Sequence, residues 1–387
     1  MSEVKQYKLI YVGGAIDHII LPIIKEFFKN YGDDFLFIST YEKAGLRTDI
    51  GYSFAPSDYP FVKTAYTSKK DFRDCKKLIK KAKVVIYQRV EHKSIIRGRL
   101  FTRKITFKCT ERLYKKKTTP KNFLRRVLGT IYHYHLFNKH NKYVLCMGGY
   151  AAADLKKAHL FKGKMLTWGY FTDTTKTPYE QLLKLKEKDD TNSFCWVGRF
   201  VPEKQPMMVL ELAKFLKTKN INFKIKMCGY GSLIEDCNSY VSDNNLTDCV
   251  DILGPLPLKE KEELMNSCKY FLFTSNREEG WGAVVNEAMG SACVCFAPKE
   301  AGSPKTLIND LNNGYLYSSE NQAELNSLVL SVLSKKDNEK VQKNAYESIS
   351  SCWNTKVAVK RLCKFIDNLL DYNQIIFEEY GPCSEAK

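Results

Sequence analysis

The sequence predicts an α/β protein with two doubly wound parallel-sheet domains in series. Three observations indicate this class. Short apolar runs alternate with amphipathic runs of roughly 10 to 15 residues, as parallel strands alternate with crossover helices. The chain of 387 residues is long enough for two hydrophobic cores. Its charge is also divided, because residues 1–178 carry 36 Lys+Arg against 14 Asp+Glu, whereas the remainder is slightly acidic.

In the first half, strands are expected where β-branched and aromatic residues cluster between helical patterns. The predicted strands are YKLIYV, DFLFIST, KVVIYQ, KITFKC and KYVLCMG, and the first predicted helix is AIDHIILPIIKEFFKN. The WGYF stretch and the polar run after it are interpreted as a connection between domains. We therefore expect an N-terminal domain over 1–172 and a linker over 173–192.

The second half alternates more regularly. Its predicted strands are FCWVG, FKIKMCG, CVDILG, YFLFTS and VCFAP, and its predicted helices include PMMVLELAKFLKTKN, SLIEDCNSYVSDNN, KEKEELMNSC, 321–335 and 353–370. A C-terminal domain is expected over 193–352, with helices over 353–387 crossing back to the N-terminal domain. Ligands of open α/β sheets bind beyond the carboxyl ends of the strands, so the two domains are expected to face a central cleft.

Basic residues are most concentrated in residues 75–126, which hold 19 Lys+Arg and only two acids. A surface of this kind favours an anionic partner, either a membrane surface or a nucleic acid. Segment 120–143 mixes arginine with aromatic and aliphatic residues, and it fits either an amphipathic helix on lipid or a buried helix with a charged end. No apolar run reaches the ~18 residues of a membrane-spanning helix. The thirteen cysteines follow no pairing pattern, which indicates reduced thiols and a cytoplasmic protein.

The stretch NREEGWGAVVNEAMG places Glu279 and Glu287 eight positions apart around a predicted loop-to-helix junction. The first amides of that helix, at Gly282, Ala283 and Val284, suit a phosphate. An ionised carboxylate accepts hydroxyl hydrogens, so it matches a sugar diol. Eight helical residues span ~12 Å, of the order of the gap between the two sugars of a nucleotide sugar. The alternative is a pair of solvated helix positions.

A second motif, GRFVPEK, places Arg199 directly after a strand and Lys204 just before a helix. Both cations are expected to reach the same cleft and to neutralise a diphosphate, since arginine supplies a planar fork and lysine a mobile point charge. The alternative is two surface cations. Gly229 and Gly231 in CGYGSL also follow a strand, which fits either a phosphate-binding loop or a tight turn.

The order of GRFVPEK, MCGYGS, DILGPL, FLFTSNREEGWGAVVNEAMG and NDLNNGYLY resembles the donor domain of family 4 glycosyltransferases, which have the GT-B fold. The resemblance covers about residues 193 to 320. It implies that Arg199 and Lys204 bind the donor diphosphate, that Glu279 contacts the transferred sugar and that Glu287 contacts the ribose. The runs TFKCTERLYKKK and YVLCMGGYAAADLKKAHLFKGKMLTWGYF are similar to members that build bacterial surface polysaccharides.

The resemblance also implies that Gly13 and Gly14, in the first loop, lie near the phosphates and the acceptor. The family is retaining and generally needs no metal or other cofactor. The absence of a D-x-D motif agrees with this, since cations and a helix start would then stabilise the departing diphosphate. One departure is Gln205-Pro206, where the family often has glycine after the lysine. Pro206 suits a first helical turn.

Four further residues are candidates for the acceptor side of the cleft: His18, Gln88, His92 and Glu111. The histidines equally fit packing or surface positions, and Glu111 equally fits a structural ion pair. His133 and His135 lack a third nearby ligand, so no metal site is predicted.

The resemblance therefore implies a retaining, metal-independent hexosyltransferase. Its donor would be a UDP- or GDP-sugar, and its acceptor a lipid-linked oligosaccharide or other glycan of surface polysaccharide or glycolipid biosynthesis. The basic N-terminal domain would dock on an anionic membrane, at the inner face of the cytoplasmic membrane, without binding nucleic acid. The alternatives are a GT-B-fold epimerase or phosphorylase and, from another class, a basic nucleic-acid-binding protein.

Overall fold

The computed structural model describes residues 5–42, 54–90, 92, 94–116, 119–134, 141–173, 176–187, 191–335 and 338–387. The chain divides into two compact units. Unit 1 comprises Met1–Asp173 and Thr355–Lys387, and unit 2 comprises Thr174–Asn354.

Unit 1 is built on a parallel sheet whose described strands lie in the order β3-β2-β1-β4-β5-β6-β7. They are β1 (Leu9–Gly13), β2 (Phe35–Ser39), β3 (Val62–Thr64), β4 (Val84–Tyr87), β5 (Thr106–Thr110), β6 (Lys142–Met147) and β7 (Met165–Trp168). Strand β1 pairs with both β2 and β4, so the sheet grows in opposite directions from this point. The loops beyond β1 and β4 therefore diverge and leave a crevice for a ligand.

The helices that the described residues of unit 1 form cover the faces of this sheet. They are α1 (Ile20–Tyr31), α2 (Lys69–Lys81), α3 (Ser94–Leu100), α4 (Pro120–Tyr134), α5 (Ala151–Lys156) and the C-terminal helix, numbered α14 (Thr355–Asp371). Helix α14 packs against α1, where the Tyr31 hydroxyl donates to Asp367 Oδ1 at 3.2 Å and Lys8 Nζ lies 2.9 Å from the same oxygen. The residues that follow run antiparallel to β7, with Leu166 bridging Glu385.

Unit 2 has a second parallel sheet, whose described strands lie in the order β10-β9-β8-β11-β12-β13. They are β8 (Asn192–Val197), β9 (Phe223–Cys228), β10 (Val250–Gly254), β11 (Tyr270–Leu272), β12 (Val294–Pro298) and β13 (Tyr315–Tyr317). The helices are α6 (Tyr179–Lys186), α7 (Pro206–Thr218), α8 (Ile234–Asp243), α9 (Leu258–Ser267), α10 (Ala283–Gly290), α11 (Gly302–Leu307), α12 (Gln322–Leu333) and α13 (Glu339–Ser351). Its switch point lies between β8 and β11.

The central strands of both sheets are buried on both faces, which explains the apolar runs in the sequence. Strands β1, β2 and β12 are buried at every position, as expected for parallel strands covered by helices on each side. The prediction of two Rossmann-like, doubly wound α/β domains is confirmed.

Several elements differ from the sequence-based expectation. Strands β3, β7 and β13 have only three or four residues, too few to show a periodicity. Helix α13 was not predicted. Helix α6 lies within the segment that was interpreted as a linker, and its Leu182 is fully buried in unit 2.

Candidate active site

The loops beyond β8 and β11 lie side by side at the switch point of unit 2. Strand β8 pairs with β11 through Phe194 and Tyr270. Beyond the strands, the Asn276 amide donates to the Glu203 carbonyl at 2.9 Å, and the Thr274 hydroxyl donates to the Lys204 carbonyl at 2.7 Å. These bonds hold the GRFVPEK loop against the loop that carries the first glutamate.

The ammonium group of Lys204 forms an ion pair with the carboxylate of Glu279. Each side chain is 17% exposed, so the pair is shielded from solvent but still accessible to a ligand. Lys204 ends the 3₁₀ turn Pro202–Lys204, and Gln205 follows in the left-handed region at φ 49° before Pro206 begins α7. One cation and one glutamate of the predicted set are therefore in direct contact.

Arg199 belongs to the same loop but bonds to a different acid. Its Nη2 donates to Glu203 Oε1 at 3.0 Å, and its side chain is 47% exposed. Because Glu203 lies four residues away, this is a local surface pair of small net energy. A ligand phosphate can therefore replace Glu203 as the partner of Arg199 at low cost.

Glu287 lies one turn inside α10 and is paired with a lysine that sequence reasoning missed. Lys261 Nζ on α9 lies 2.8 Å from Glu287 Oε2, and the two side chains are only 6% and 9% exposed. The sequence does carry a signal for this pair. Lys261 has helical spacing with Leu258, Leu264 and Met265, so it falls on the buried face of α9 and needs an acidic partner.

The start of α10 is held by close backbone packing. The helix begins at Ala283, after Gly282 in the left-handed region at φ 93°. A Cβ on Gly302 would lie 1.8 Å from the Gly280 carbonyl oxygen, so only glycine permits this approach. The Ser303 hydroxyl donates to the Gly282 carbonyl at 3.0 Å. The fully buried Trp281 donates its indole N–H to Asn286 Oδ1 at 2.8 Å.

Gly229 and Gly231 have a packing role beside the first loop. A Cβ on Gly229 would lie 1.7 Å from the Gly198 carbonyl oxygen, and one on Gly231 would lie 2.3 Å from the Phe200 carbonyl oxygen. The Phe200 amide also donates to the Tyr230 carbonyl at 2.8 Å. The glycines thus position the GRFVPEK loop, and a direct contact with a donor stays a prediction.

Unit 1 has a pocket beyond β1 and β4, at its own switch point. The pocket encloses about 390 Å³ of empty space, part of it open to solvent. Its lining includes Gly13, Gly14, Asp17, Tyr41, Gln88, Arg89 and Tyr170. Gly13 and Gly14 have no room for a side chain, because a Cβ would lie 2.8 Å from the Phe37 ring and 2.6 Å from the Tyr41 ring, respectively.

Polar side chains beside this pocket form one network. The Tyr170 hydroxyl donates to Glu111 Oε1 at 2.7 Å and accepts from Arg89, and Lys115 Nζ lies 2.7 Å from Glu111 Oε2. Burial alone raises the pKa of Glu111, but the charge of Lys115 and the hydrogen bonds it receives outweigh burial, so this pKa lies below its ordinary value. Gln88 accepts from the Tyr11 hydroxyl at 2.5 Å, and burial raises the pKa of Tyr11.

The structure thus brings Gln88 and Glu111 to one side of unit 1 and adds Arg89 and Tyr170, which sequence reasoning missed. Arg89 lies two residues beyond the end of β4, where ligand-binding residues concentrate, and that position was the available signal. His18 and His92 do not line the pocket. His92 is exposed and packs edge-on against Phe72, with ring centroids 6.4 Å apart. The acceptor roles of both histidines stay predictions.

No group of three or more His, Cys, Asp or Glu side chains in the described ranges is arranged to hold a metal ion. Whether the protein needs a metal is not tested by this observation, and metal independence stays a prediction. Of the two histidines weighed as a metal pair in the sequence, His135 lies outside the described residues.

The fold is that of GT-B glycosyltransferases. The structure of HepE from Anabaena, solved in complex with UDP, superposes with a TM-score of 0.68 at 14% sequence identity, covering 94% of this chain and 100% of that one. The likeness at this identity defines the fold alone.

Unit 2 is similar to a family of glycosyl transferases. The family described as "Glycosyl transferases group 1" matches residues 180–348. The uncharacterized glycosyltransferase MJ1178 of Methanocaldococcus jannaschii is 29% identical over 42% of this chain and 44% of its own length. The lipopolysaccharide 1,6-galactosyltransferase of Escherichia coli K12 is 25% identical over 46% of this chain and 50% of its own length. The chain thus spans about half the length of these curated relatives.

Proposed function

We propose that the protein is a retaining glycosyltransferase that moves a sugar from a nucleotide-diphosphate sugar to a saccharide or lipid-linked acceptor. The observation that carries this proposal is the Lys204–Glu279 ion pair, which lies at the switch point of the unit that is similar to glycosyl transferases, beside the glycine-bounded start of α10. A cation and a carboxylate in contact supply the two groups that a sugar diphosphate needs, one for the phosphates and one for the sugar hydroxyls.

In the proposed reaction, the bond between the anomeric carbon and the diphosphate oxygen breaks, and the electron pair stays on the diphosphate. Lys204 and Arg199 stabilise this developing charge, so that no metal is required. The acceptor hydroxyl oxygen bonds to the anomeric carbon on the face that the diphosphate leaves, and its proton passes to a phosphate oxygen. Glu279 orients the transferred hexose through its hydroxyl groups, and Glu287 binds the ribose.

The donor class is also supported by relatives. The HepE structure contains UDP, and UDP is the product that a UDP-sugar donor leaves behind. The E. coli relative acts on lipopolysaccharide, which agrees with an acceptor in surface polysaccharide or glycolipid biosynthesis. We place the acceptor beside the unit 1 pocket, whose Arg89–Tyr170–Glu111 network offers hydrogen-bond donors and acceptors to a sugar.

We further propose that unit 1 docks on the cytoplasmic face of an anionic membrane. Helix α4 exposes Leu124, Leu128 and Tyr132 at 60%, 57% and 74%, and their spacing places them on one side of the helix. Exposed cations on the same helix include Lys121 and Arg125, and each basic residue near an anionic lipid surface gains about 1 kcal/mol. Of segment 120–143, residues 135–140 lie outside the described residues.

All thirteen cysteines lie in the described ranges and none of them forms a disulfide, which agrees with a reducing compartment. None of the helices formed by the described residues is long and apolar enough to cross a membrane.

The direct test is to incubate the purified full chain with a panel of UDP- and GDP-sugars, with and without glycan and lipid-linked acceptors, in the presence of a metal chelator. Release of nucleoside diphosphate that requires both donor and acceptor is expected, with retention of the anomeric configuration in the product. Turnover of the donor without acceptor would indicate an epimerase instead. Phosphate-dependent cleavage of a glycan would indicate a phosphorylase. Binding of duplex or single-stranded nucleic acid in place of any nucleotide sugar would favour the nucleic-acid-binding alternative.

A further inference from the structure

The buried ion pair between α9 and α10 is an unusual use of a lysine. Lys261 lies on the face of α9 that also buries Leu264 and Met265, and only 6% of its side chain is exposed. Its ammonium group lies 2.8 Å from Glu287 Oε2. A buried ion pair adds little net stability compared with a well-packed apolar pair, because both charges must leave water. Stability alone therefore does not account for a lysine at this position.

The other glutamate of the motif is also paired with a lysine, but in a more accessible setting. The side chains of Lys204 and Glu279 are 17% exposed, compared with 6% and 9% for Lys261 and Glu287. A diphosphate can therefore compete for Lys204. Lys261 is enclosed between α9 and α10, where a ligand has less access to its ammonium group. The two lysines thus perform different tasks.

We propose that Lys261 is a positioning residue for ribose recognition, an inference that rests on the proposed donor class. Its ammonium group holds the Glu287 carboxylate in one orientation before the nucleotide arrives. A carboxylate has about four acceptor positions, so one that already bonds to Lys261 can still accept from sugar hydroxyls. Because the carboxylate is pre-positioned, binding of the ribose costs less ordering of the side chain. Lys261 thereby sets the preference of the site for ribonucleotides over 2′-deoxyribonucleotides.

The test measures the affinity of the full chain for UDP and GDP and for dUDP and dGDP by calorimetry. The wild-type protein is expected to bind at least one ribonucleotide about tenfold more tightly than its 2′-deoxy counterpart, the ratio typical of one hydrogen bond to a charged group. Lys261→Met is expected to weaken ribonucleotide binding about tenfold and to remove the preference. Lys261→Arg keeps the positive charge, so it should retain part of the preference for the ribonucleotide. Lys259→Met is the matched control, since Lys259 lies on the same helix with its side chain 88% exposed.

A double-mutant cycle separates positioning from a purely structural role. If Lys261 acts through Glu287, Lys261→Met should have no further effect on ribose preference in a Glu287→Gln background. The inference would be overturned if the losses of ribose preference in the two single variants add up in the double variant. It would also be overturned if Lys261→Met keeps the wild-type preference. Neither result would change the donor class. A wild-type protein that binds none of the four nucleotides would overturn the donor class itself. If Lys261→Met does not fold, Lys261→Gln provides the same readout with a polar side chain.

Discussion

Lys204 and Glu279 are 75 positions apart in the sequence but form an ion pair where two neighbouring parallel strands end. The contact exists because β8 and β11 are adjacent in the sheet, so the loops that follow them lie side by side and bond to each other. It places a cation and a carboxylate in a partly shielded site, where electrostatic interactions are stronger than in bulk water. The following predictions test what this site and its surroundings do.

Replacing Glu279 by Gln should mainly slow turnover. The change keeps the shape of the side chain but removes the charge that orients the transferred sugar, so kcat should fall by about 10² to 10³-fold while nucleotide affinity changes little. Steady-state kinetics with the donor identified by the panel measures this. Glu278→Gln changes the neighbouring residue of the same loop and should behave as wild type. Wild-type turnover by Glu279→Gln would remove this residue from the mechanism.

Replacing Gly302 by Ala should disturb the start of α10 from outside the site. The added Cβ would lie 1.8 Å from the Gly280 carbonyl oxygen, so the Gly280–Gly282 loop must move. We expect a destabilisation of about 1–3 kcal/mol, together with weaker nucleotide binding. Denaturant unfolding and calorimetry measure the two effects. The control is Gly98→Ala, because Gly98 lies inside α3 with no atom within 4 Å of the new Cβ. A Gly302→Ala protein with unchanged stability would mean that the loop has room to adjust.

Lys142 makes the stability of unit 1 depend on pH. Its ammonium group donates to the carbonyls of Thr102 and Lys104 at 2.8 and 2.9 Å, and burial, with a smaller contribution from Arg99, lowers the pKa of Lys142 to about 8. The ordinary pKa of lysine applies in the unfolded chain. Between these two values the unfolded chain binds more protons than the folded one, so this contribution to stability rises with pH. Below about pH 8, Lys142 is protonated in both the folded and the unfolded chain, and the burial of its charge lowers the stability by the full amount.

The measurement is the free energy of unfolding of wild type and of Lys142→Met between pH 7 and pH 10. As the pH rises, the free energy of unfolding of the wild type should increase relative to that of Lys142→Met by up to about 3 kcal/mol. Lys77→Met, at a largely exposed lysine, should show no such trend. A difference that stays constant with pH would show that Lys142 keeps its ordinary pKa in the folded protein.

The exposed apolar side of α4 should determine membrane binding. The triple substitution Leu124→Ser, Leu128→Ser and Tyr132→Ser removes its largest exposed side chains without touching the unit 1 core. We expect flotation with anionic phosphatidylglycerol vesicles to be lost and folding to be retained. Binding of the wild type should fall with added salt and with uncharged phosphatidylcholine, because the cations also contribute. Leu311→Ser, at a leucine that is 66% exposed in unit 2, is the control. Equal flotation of the triple variant would exclude α4 as the docking surface.

Local sequence patterns were enough to predict the principal helices and strands. The start of α10 follows from glycine at the turn and an apolar run behind it, and it is observed at Ala283. The sequence does not predict β3 and β13, because three residues carry no period, whereas the equally short β11 lies in the longer apolar run YFLFTS and is predicted. The polarity of the segment that contains α6 predicts a linker, yet Leu182 and Lys186 are buried in unit 2, and the Lys186 ammonium donates to the carbonyls of Met265 and Asn266.

The sequence by itself determined the two doubly wound sheets, the E-x7-E spacing and the cationic loop, because each depends on the order of residues within a few turns or strands. Only the tertiary structure decided which charges meet. Lys204 reaches Glu279 because two strands far apart in the chain are neighbours in the sheet, and Lys261 reaches Glu287 because α9 packs beside α10. Such pairings depend on distances across the fold, which the order of residues along the chain does not contain.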